Sequence, residues 1–409
     1  MKIIIIDPGF VTDRGHHFPM NDFISHEAKI KGYKPIVLGP EKYAYCIKNK
    51  LCRKPNFPAR FIFPVHSYMH PFDRRKPEGN SIMLNMSVFG NHNKLTEIAL
   101  QKNIPTDRLK DGDTILLHTT FLNSMLGIAS WLRSPNTPKL KIRVVLRFPP
   151  WFYQISRDVS EILFREALRL WEQINGDVIF FTDVQAYTEY VQERTSIPVL
   201  TTPIGLDLNT KTPITPPKGD AKKGFVFVAA GIPHEAKGSE LLPPAITEYL
   251  KCFPQDRFIV QGRVLHHFEG FRENDQDKAI FSHPNVQLLR KTLDTEAFHE
   301  LLKTGDILLN PYCPIDYHFR TSHIFMEGLG LNRVVIGANL DWTQEWMEKL
   351  GNVGALLEDH SVEALIDAMC SVRENIEEHR AAVLKITDRI RNENNAHNWL
   401  NFVLNPPNT

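Results

Sequence analysis

The segment from Tyr317 to Trp342 combines residues that suit a phosphate with a residue that suits sugar hydroxyls. Thr321 and Ser322 are placed to cap a short helix, whose free N–H groups and positive dipole end attract anions. Arg320 precedes that helix and adds positive charge, while Glu327 lies deeper, where a carboxylate can accept hydrogen bonds from hydroxyls. The spacing predicts that this loop, helix and strand hold both the diphosphate and the ribose of a nucleotide sugar.

Further basic residues follow predicted strands of the second half of the chain. Lys237 stands before Gly238 and a helical stretch, and we expect its ammonium group to bind the diphosphate. Arg263 follows the predicted strand 257–261 and is expected to pair with a phosphate or with a surface carboxylate. The backbone around residues 290–293 lies just past another strand, where main-chain groups can bind a nucleobase.

The first half has its own candidates at predicted strand ends. After Asp7, a loop leads to Gly15 and His16. Gly15 permits close backbone approach and is expected to bind the donor, His16 is expected to be a catalytic residue facing the transferred sugar, and Asn21 is expected to face the cleft. His118 ends a buried strand. It either contacts the transferred sugar, acts as a base, or is a hydrogen-bonded structural histidine, and both the functional and the structural interpretation stay open.

No set of residues predicts a metal ion. Residues 111–113 read Asp-Gly-Asp, but they precede their strand and are interpreted as a turn. The histidine pairs at 16–17 and 266–267 lack further ligands at the fixed spacing typical of zinc sites. We therefore expect neither a metal nor another cofactor.

The elements that must position these residues follow the α/β pattern, in which short apolar runs alternate with helical stretches. The pattern predicts two Rossmann-like, doubly wound domains facing each other across a cleft. A proline-rich, aromatic stretch at 52–79 fits neither period and is interpreted as a long loop or irregular excursion. The expected divisions are a first domain at 1–207, a linker at 208–223, a second domain at 224–385, and a helix at 386–409 that crosses back to the first domain.

Charge is unevenly distributed along the 409 residues. Residues 1–205 hold 27 Lys and Arg against 19 Asp and Glu, a net charge of 27 − 19 = +8, and the remainder therefore carries 1 − 8 = −7. This asymmetry favours an acidic glycan or an anionic membrane surface as a partner of the first half, or else reflects ordinary surface variation. Nucleic acid is not expected, because the basic excess is mild and no recognised motif is present.

The cysteines and the start of the chain predict the compartment. Five scattered cysteines without a C-x-x-C pair suggest a reducing compartment. The apolar run after Met1 stops at Asp7, too early for a signal peptide, and no run approaches the length of a membrane span. We expect a cytoplasmic protein that can rest on the inner membrane through its basic first domain.

The order of these motifs resembles glycosyltransferases of the GT-B fold, most closely glycosyltransferase family 4. The resemblance covers residues 224–368 well and the first half only through its opening strand and the loop at 15–17. Lys237 and Gly238 match the family's diphosphate-binding lysine-glycine pair, and Glu327 matches its ribose-binding glutamate. Two family residues are replaced: Ile232 stands in place of an arginine, and Phe319 in place of the glutamate near the donor sugar.

The resemblance implies metal-independent transfer of a sugar from a nucleoside-diphosphate sugar to a glycan, lipid-linked or protein acceptor. It also implies that retention of the anomeric configuration is the usual outcome, with the leaving phosphate helping to deprotonate the acceptor. Two alternatives remain. A sugar-nucleotide epimerase has a similar pair of domains, and the two replaced residues also fit a degenerate protein that binds a nucleotide or glycan without chemistry.

Overall fold

The chain forms two compact units, which the computed structural model describes over most of their length. The first unit consists of Met1–Pro203 together with Ala396–Thr409, and the second of Ile204–Asn395. The described residues are 1–13, 17–63, 82–151, 157–206, 208, 217, 219–220, 222–231, 233, 235–262, 279–291 and 293–407. The division differs from the expected one at both boundaries of the first unit, and it includes the expected linker at 208–223 in the second unit. The first unit ends at Pro203 rather than 207, and the chain rejoins it at Ala396 rather than 386.

A seven-stranded parallel sheet forms the centre of the first unit. Its order is β3-β2-β1-β4-β5-β6-β7, so the first strand is central and its neighbours continue in opposite directions along the sheet. The carboxyl ends of β1 and β4 meet where the strand order reverses, which is the usual ligand position in such sheets. The strands are Lys2–Ile6, Lys34–Pro40, Ala59–Phe63, Thr114–Thr120, Leu140–Leu146, Gly176–Thr182 and Val199–Thr201.

Helices connect these strands, and the last helix of the chain adds to the core of this unit. The connecting helices α1–α6 are His17–Ile30, Glu41–Lys48, Ile82–Asn103, Leu122–Leu132, Arg157–Trp171 and Gln185–Gln192. The final helix, Ala396–Leu404, buries Trp399, Leu400 and Val403 in the same apolar cluster as Ile3 and Ile5 of β1. The two ends of the chain thus share one core.

The second unit repeats the architecture with six parallel strands in the order β10-β9-β8-β11-β12-β13. The order reverses between β8 and β11, as in the Rossmann arrangement. The strands are Val226–Ala229, Arg257–Gln261, Val286–Leu289, Ile307–Asn310, Val334–Gly337 and Gly354–Leu356. Helices α7–α13 are Leu242–Cys252, Thr295–Thr304, Pro314–Tyr317, His323–Gly330, Asp341–Leu350, Val362–Glu374 and Ile376–Glu393, and the final helix becomes α14. Among the described residues, no helix combines the length and apolar character needed to cross a membrane.

Two parallel α/β sheets confirm the predicted fold class, but one interpretation was wrong in part. Residues 59–63, which the sequence assigned to an irregular excursion, form the edge strand β3, paired with β2 with a register shift at Gly39 and Pro40. Pro58, the residue before β3, takes part in the pairing as an acceptor, because its carbonyl accepts a hydrogen bond from the N–H of Val37. Residues 64–79 lie outside the described part of the chain.

Candidate functional site

A pocket lies in the second unit beside the carboxyl ends of β8 and β11, at the switch in strand order. The space between its walls that no atom fills is about 290 Å³, which includes open solvent at its mouth. Apolar residues at the ends of strands form part of its lining, and polar side chains form the rest. The lining includes Gly231, Lys237, Gln261, Leu309, Pro311 and Tyr312. Such a position, with few polar groups on an apolar wall, is typical of a small-molecule site in this class of sheet.

Lys237 brings a positive charge into this pocket. It ends a short 3₁₀ turn, Glu235–Lys237, and its Nζ lies so close to Gly231 that a Cβ there would stand 2.4 Å away. Burial lowers the pKa of Lys237 to about 8, and the positive charge of Arg320 contributes to the effect. Among the side chains that the structure describes, which do not include that of Glu235, no carboxylate offsets this charge, so the group is suited to an anionic ligand.

Gly238, the residue after Lys237, is required by the backbone. Its φ of 63° lies in the left-handed region, and a Cβ would stand 1.8 Å from the carbonyl oxygen of Pro311. The turn therefore approaches the end of β11 as closely as only glycine allows. This contact explains why a glycine follows the lysine and how the turn aligns Lys237 with the pocket.

Gln261 is a site residue that the sequence did not single out. It ends β9, where its Oε1 accepts a hydrogen bond from the backbone N–H of Gly231 at 2.8 Å. Its Nε2 donates to the carbonyl of Lys291 at 3.3 Å, close to the backbone expected to contact a base. Gln261 thereby connects the loops after β8 and β10. The only sign of it in the sequence is a glutamine at the end of the predicted strand 257–261.

The start of α10 behaves as its sequence predicts. Ser322 is the N-cap, with its Oγ accepting from the N–H of Phe325 at 3.1 Å, and the same hydroxyl donates to Tyr312 at 3.0 Å. Arg320 lies with its guanidinium 4.1 Å from the ring centroid of Tyr317. Thr321 precedes the cap. Because Tyr312 also lines the pocket, the capped helix start and the Lys237 pocket belong to one site.

Glu327 is buried in α10, with its Oε1 3.9 Å from Nε2 of His299 on α8. Sequence reasoning missed His299, which lies in an amphipathic helix with no distinguishing motif. Phe319, at the position of the expected family glutamate, is buried, with its ring 4.6 Å from that of His318. It therefore serves as apolar packing and supplies no carboxylate.

The first unit places a second polar cluster at its own switch point. Asp7 follows β1 and accepts hydrogen bonds from Nδ1 of His17 at 2.9 Å, Nδ2 of Asn21 at 2.7 Å and the N–H of Gly9 at 3.0 Å. The Nε2 of His118 lies 3.1 Å from both Asp7 Oδ2 and Asn21 Oδ1. Asp7, Asn21 and His118 are at most 1% exposed, and His17 is 8% exposed.

Ionisation in this cluster is unevenly divided. Burial alone would raise the pKa of Asp7, but the charges of His17 and His118 and the hydrogen bonds from both hold it well below its usual range. Burial lowers the pKa of His118, and the Asp7 carboxylate offsets only part of that effect. His118 is 1% exposed, so in this conformation it positions its neighbours rather than presenting a face to a ligand.

Asp7, His17 and His118 form the one group among the described residues with the makings of a metal site, because their ligand atoms lie within 4.8 Å of one another. Ligands around tetrahedral zinc, at bond lengths of about 2.0–2.2 Å, stand about 3.3 Å apart. The observed 2.9 and 3.0 Å from His17 Nδ1 to the two Asp7 oxygens fit a hydrogen bond better. That no metal is needed stays a prediction.

Three candidates lie outside the described residues, namely Gly15, His16 and Arg263. Asp111 and Asp113 form a turn, as interpreted, in which they accept hydrogen bonds from the backbone N–H groups of Lys139 and Lys2.

Solved structures similar to this chain share its fold at low sequence identity. No family model matches, and no curated protein shows significant similarity. HepE from Anabaena, in complex with UDP, has 13% identity and a TM-score of 0.63, covering 97% of this chain and 96% of its own. Sucrose-phosphate synthase from Thermosynechococcus elongatus has 13% identity, a TM-score of 0.66 and coverages of 98% and 96%. A putative UDP-N-acetylglucosamine 2-epimerase from Listeria monocytogenes reaches 0.55 at 12% identity, with coverages of 99% and 95%. The chain therefore has the GT-B fold of two Rossmann-like units.

Proposed function

We propose that the protein is a glycosyltransferase that uses a nucleoside-diphosphate sugar as its donor. The observation that carries the proposal is the ammonium group of Lys237, which lies in a pocket at the strand-order switch of the second unit. No carboxylate partner is found for it among the side chains that the structure describes, Glu235 not being one of them. Because burial disfavours the charged form of Lys237, an anion such as a diphosphate beside it stabilises that form. The UDP complex of the structurally similar HepE is consistent with that ligand.

The surrounding residues take roles that follow from their positions. Lys237, Arg320 and the N–H groups at the α10 start, near Thr321 and Ser322, are proposed to bind the diphosphate. Positive charge at that point also stabilises the leaving group as the bond to the sugar breaks, without a metal ion. Glu327 is proposed to accept hydrogen bonds from the ribose hydroxyls.

In the first unit the structure changes the role that we propose for His118. The sequence left it open as a catalytic or a structural histidine, and its near-complete burial favours a positioning role. His118 and Asn21 fix the Asp7 carboxylate, which in turn orients His17 through Nδ1. We propose that this cluster fixes the start of the loop after β1, and that the first unit binds the acceptor.

A direct test is nucleotide binding by calorimetry with UDP and GDP. Wild-type protein should bind one of them, and Lys237→Ala and Glu327→Ala should each weaken binding at least about tenfold, the loss of one charge-assisted hydrogen bond. Lys349→Ala is the matched control, because Lys349 pairs with Glu345 on the exposed side of α11. Binding that neither site variant weakens would show that the nucleotide lies elsewhere.

An epimerase is the second candidate, favoured by the similarity to the Listeria protein. Incubation of the protein with donor sugars alone separates the alternatives. Release of an epimer without an acceptor would favour the epimerase, and sugar transfer to an added glycan or lipid-linked acceptor would favour the transferase. Nucleotide binding without any turnover across donors and acceptors would favour a degenerate binding protein, consistent with Phe319.

A further inference from the structure

Residues 41–54 of the first unit present a basic and partly apolar surface that the nucleotide site does not use. Five basic side chains are exposed there against one exposed acidic side chain, Glu41. Two large apolar side chains are exposed among them, Tyr45 by 64% and Leu51 by 65%. We call this surface the basic face, which consists of Lys42, Tyr45, Lys48, Lys50, Leu51, Arg53 and Lys54.

The basic face begins on helix α2, Glu41–Lys48. Tyr43 is fully buried on the inner side of this helix, which turns Tyr45 outward. Lys42 and Lys48 lie three residues before and after Tyr45, so they are its neighbours on the helix surface. The aromatic ring is therefore flanked by two positive charges.

Two residues after the end of α2, Lys50 and Leu51, are unusual for their backbone positions, and both add to this surface. The N–H of Lys50 bonds to the carbonyl of Ile47, and the N–H of Leu51 to that of Cys46, the hydrogen-bond pattern of a Schellman motif. Lys50 occupies the left-handed position, at φ 56°, where glycine is preferred. Leu51 takes the position that commonly packs back on the helix, yet it remains 65% exposed. Local stability does not account for either residue.

The basic face is held rigidly by the core beneath it. The ring of Tyr43 lies 4.3 Å from that of Phe10 and stacks on that of Phe61 at 5.0 Å. Its hydroxyl donates to the carbonyl of Arg53 at 3.0 Å, which ties the far end of the segment to the helix. Little backbone conformational entropy is therefore left to lose when this surface binds a partner.

We propose that the basic face docks the first unit on an anionic lipid bilayer. Lysines at the headgroups gain from the negative surface potential, while a tyrosine and a leucine beside them gain from the apolar boundary below. A soluble polyanion would attract the lysines, but it offers no apolar surface against which Leu51 could be buried. The net charge of +8 over residues 1–205 has the matching sign. The proposal does not depend on the transferase activity.

The test is co-sedimentation of the full-length protein with vesicles of phosphatidylcholine alone and with phosphatidylglycerol added. We expect binding only to the anionic vesicles, and its loss at high salt. The double variant K48Q/K50Q should weaken partitioning about 30-fold, since each charge near the surface changes it about fivefold. Y45S/L51S keeps every charge and should also weaken binding several-fold.

The matched control is K102Q/K110Q, which removes two exposed lysines of the same unit outside the basic face. It should bind vesicles like the wild type, and all variants should keep the nucleotide affinity of the wild type. Equal binding to neutral and anionic vesicles, or equal weakening by the control, would overturn the proposal. Unchanged binding of Y45S/L51S would do so too, as would preference for a soluble acidic polysaccharide that displaces the vesicles.

Discussion

Lys237 should make nucleotide binding depend on pH in a direction set by its environment. Burial and the charge of Arg320 lower its pKa from 10.5 to about 8. At about 1.4 kcal/mol per pKa unit, keeping this group charged at neutral pH costs the free protein about 3 kcal/mol of stability. A diphosphate beside the ammonium group favours the charged form, so bound nucleotide should raise the pKa again.

The consequence is proton uptake on binding. Above a pH of about 8 the free protein carries a neutral Lys237, and a proton must be added when the nucleotide binds. The affinity for UDP, or for GDP if that is the nucleotide bound, should therefore fall about tenfold per pH unit above that point. Between pH 6 and 7 the ionisation of Lys237 should not change the affinity for the nucleotide. Calorimetry in buffers of different ionisation enthalpy measures the proton uptake directly.

The variant Lys237→Met removes the titrating group and should abolish the slope. It should also raise the free energy of unfolding of the free protein at pH 7 by up to about 3 kcal/mol, because no buried charge remains. In the wild type, the same stability should be recovered as the pH rises from about 8 towards 10.5. Lys222→Met, at an exposed position, should change neither quantity. A wild-type affinity that stays constant from pH 7 to 9, with unchanged binding by Lys237→Met, would refute the reasoning.

Three further changes test other parts of the structure. Gly238→Ala should abolish nucleotide binding and cost more than about 2 kcal/mol in urea unfolding. Gly32→Ala, at a left-handed position after α1 (φ 79°) with open space around it, should cost only about 1 kcal/mol, and equal costs would show that the contact with Pro311 is not decisive. Asp7→Asn should destabilise the protein by about 3 kcal/mol at pH 7. Because the pKa of Asp7 is lowered by folding, the wild type should lose this contribution as the pH falls below about 4, and the variant should lose less stability there. An unchanged acid-unfolding curve would contradict a charged Asp7 in the folded protein. Ser322→Ala should cost about 1 kcal/mol by removing the cap of α10, and thermal unfolding that matches Thr304→Ala, outside the site, would contradict it.

Much of the second unit's site could be predicted because its parts are close in sequence. Ser322 and Glu327 belong to one short helix, so local capping and helical spacing place them. Lys237 and Gly238 form one turn, whose position after β8 follows from the rule on strand ends. Gln261 and His299 were missed because an isolated amide or imidazole becomes informative only when its neighbours are known.

The first unit's cluster could not be assembled from the sequence. Asn21 and His118 are 97 residues apart, and only the pairing of β1 with β4 brings them together. Of two adjacent histidines the sequence favoured His16, whereas the structure shows that His17, the first residue of α1, turns its Nδ1 to Asp7. Strand β3 was missed because its proline-rich flanks hide a short edge strand that pairing with β2 stabilises.

The place of α14 in the first unit has a consequence for synthesis of the protein. Trp399, Leu400 and Val403 complete the apolar cluster around β1, yet the whole of Ile204–Asn395 is translated before them. At about 5–20 residues per second, the ribosome needs on the order of 10 s or more for that stretch. During this time the nascent first unit exposes the apolar surface that α14 later covers, which makes it a natural client for a chaperone that acts on emerging chains.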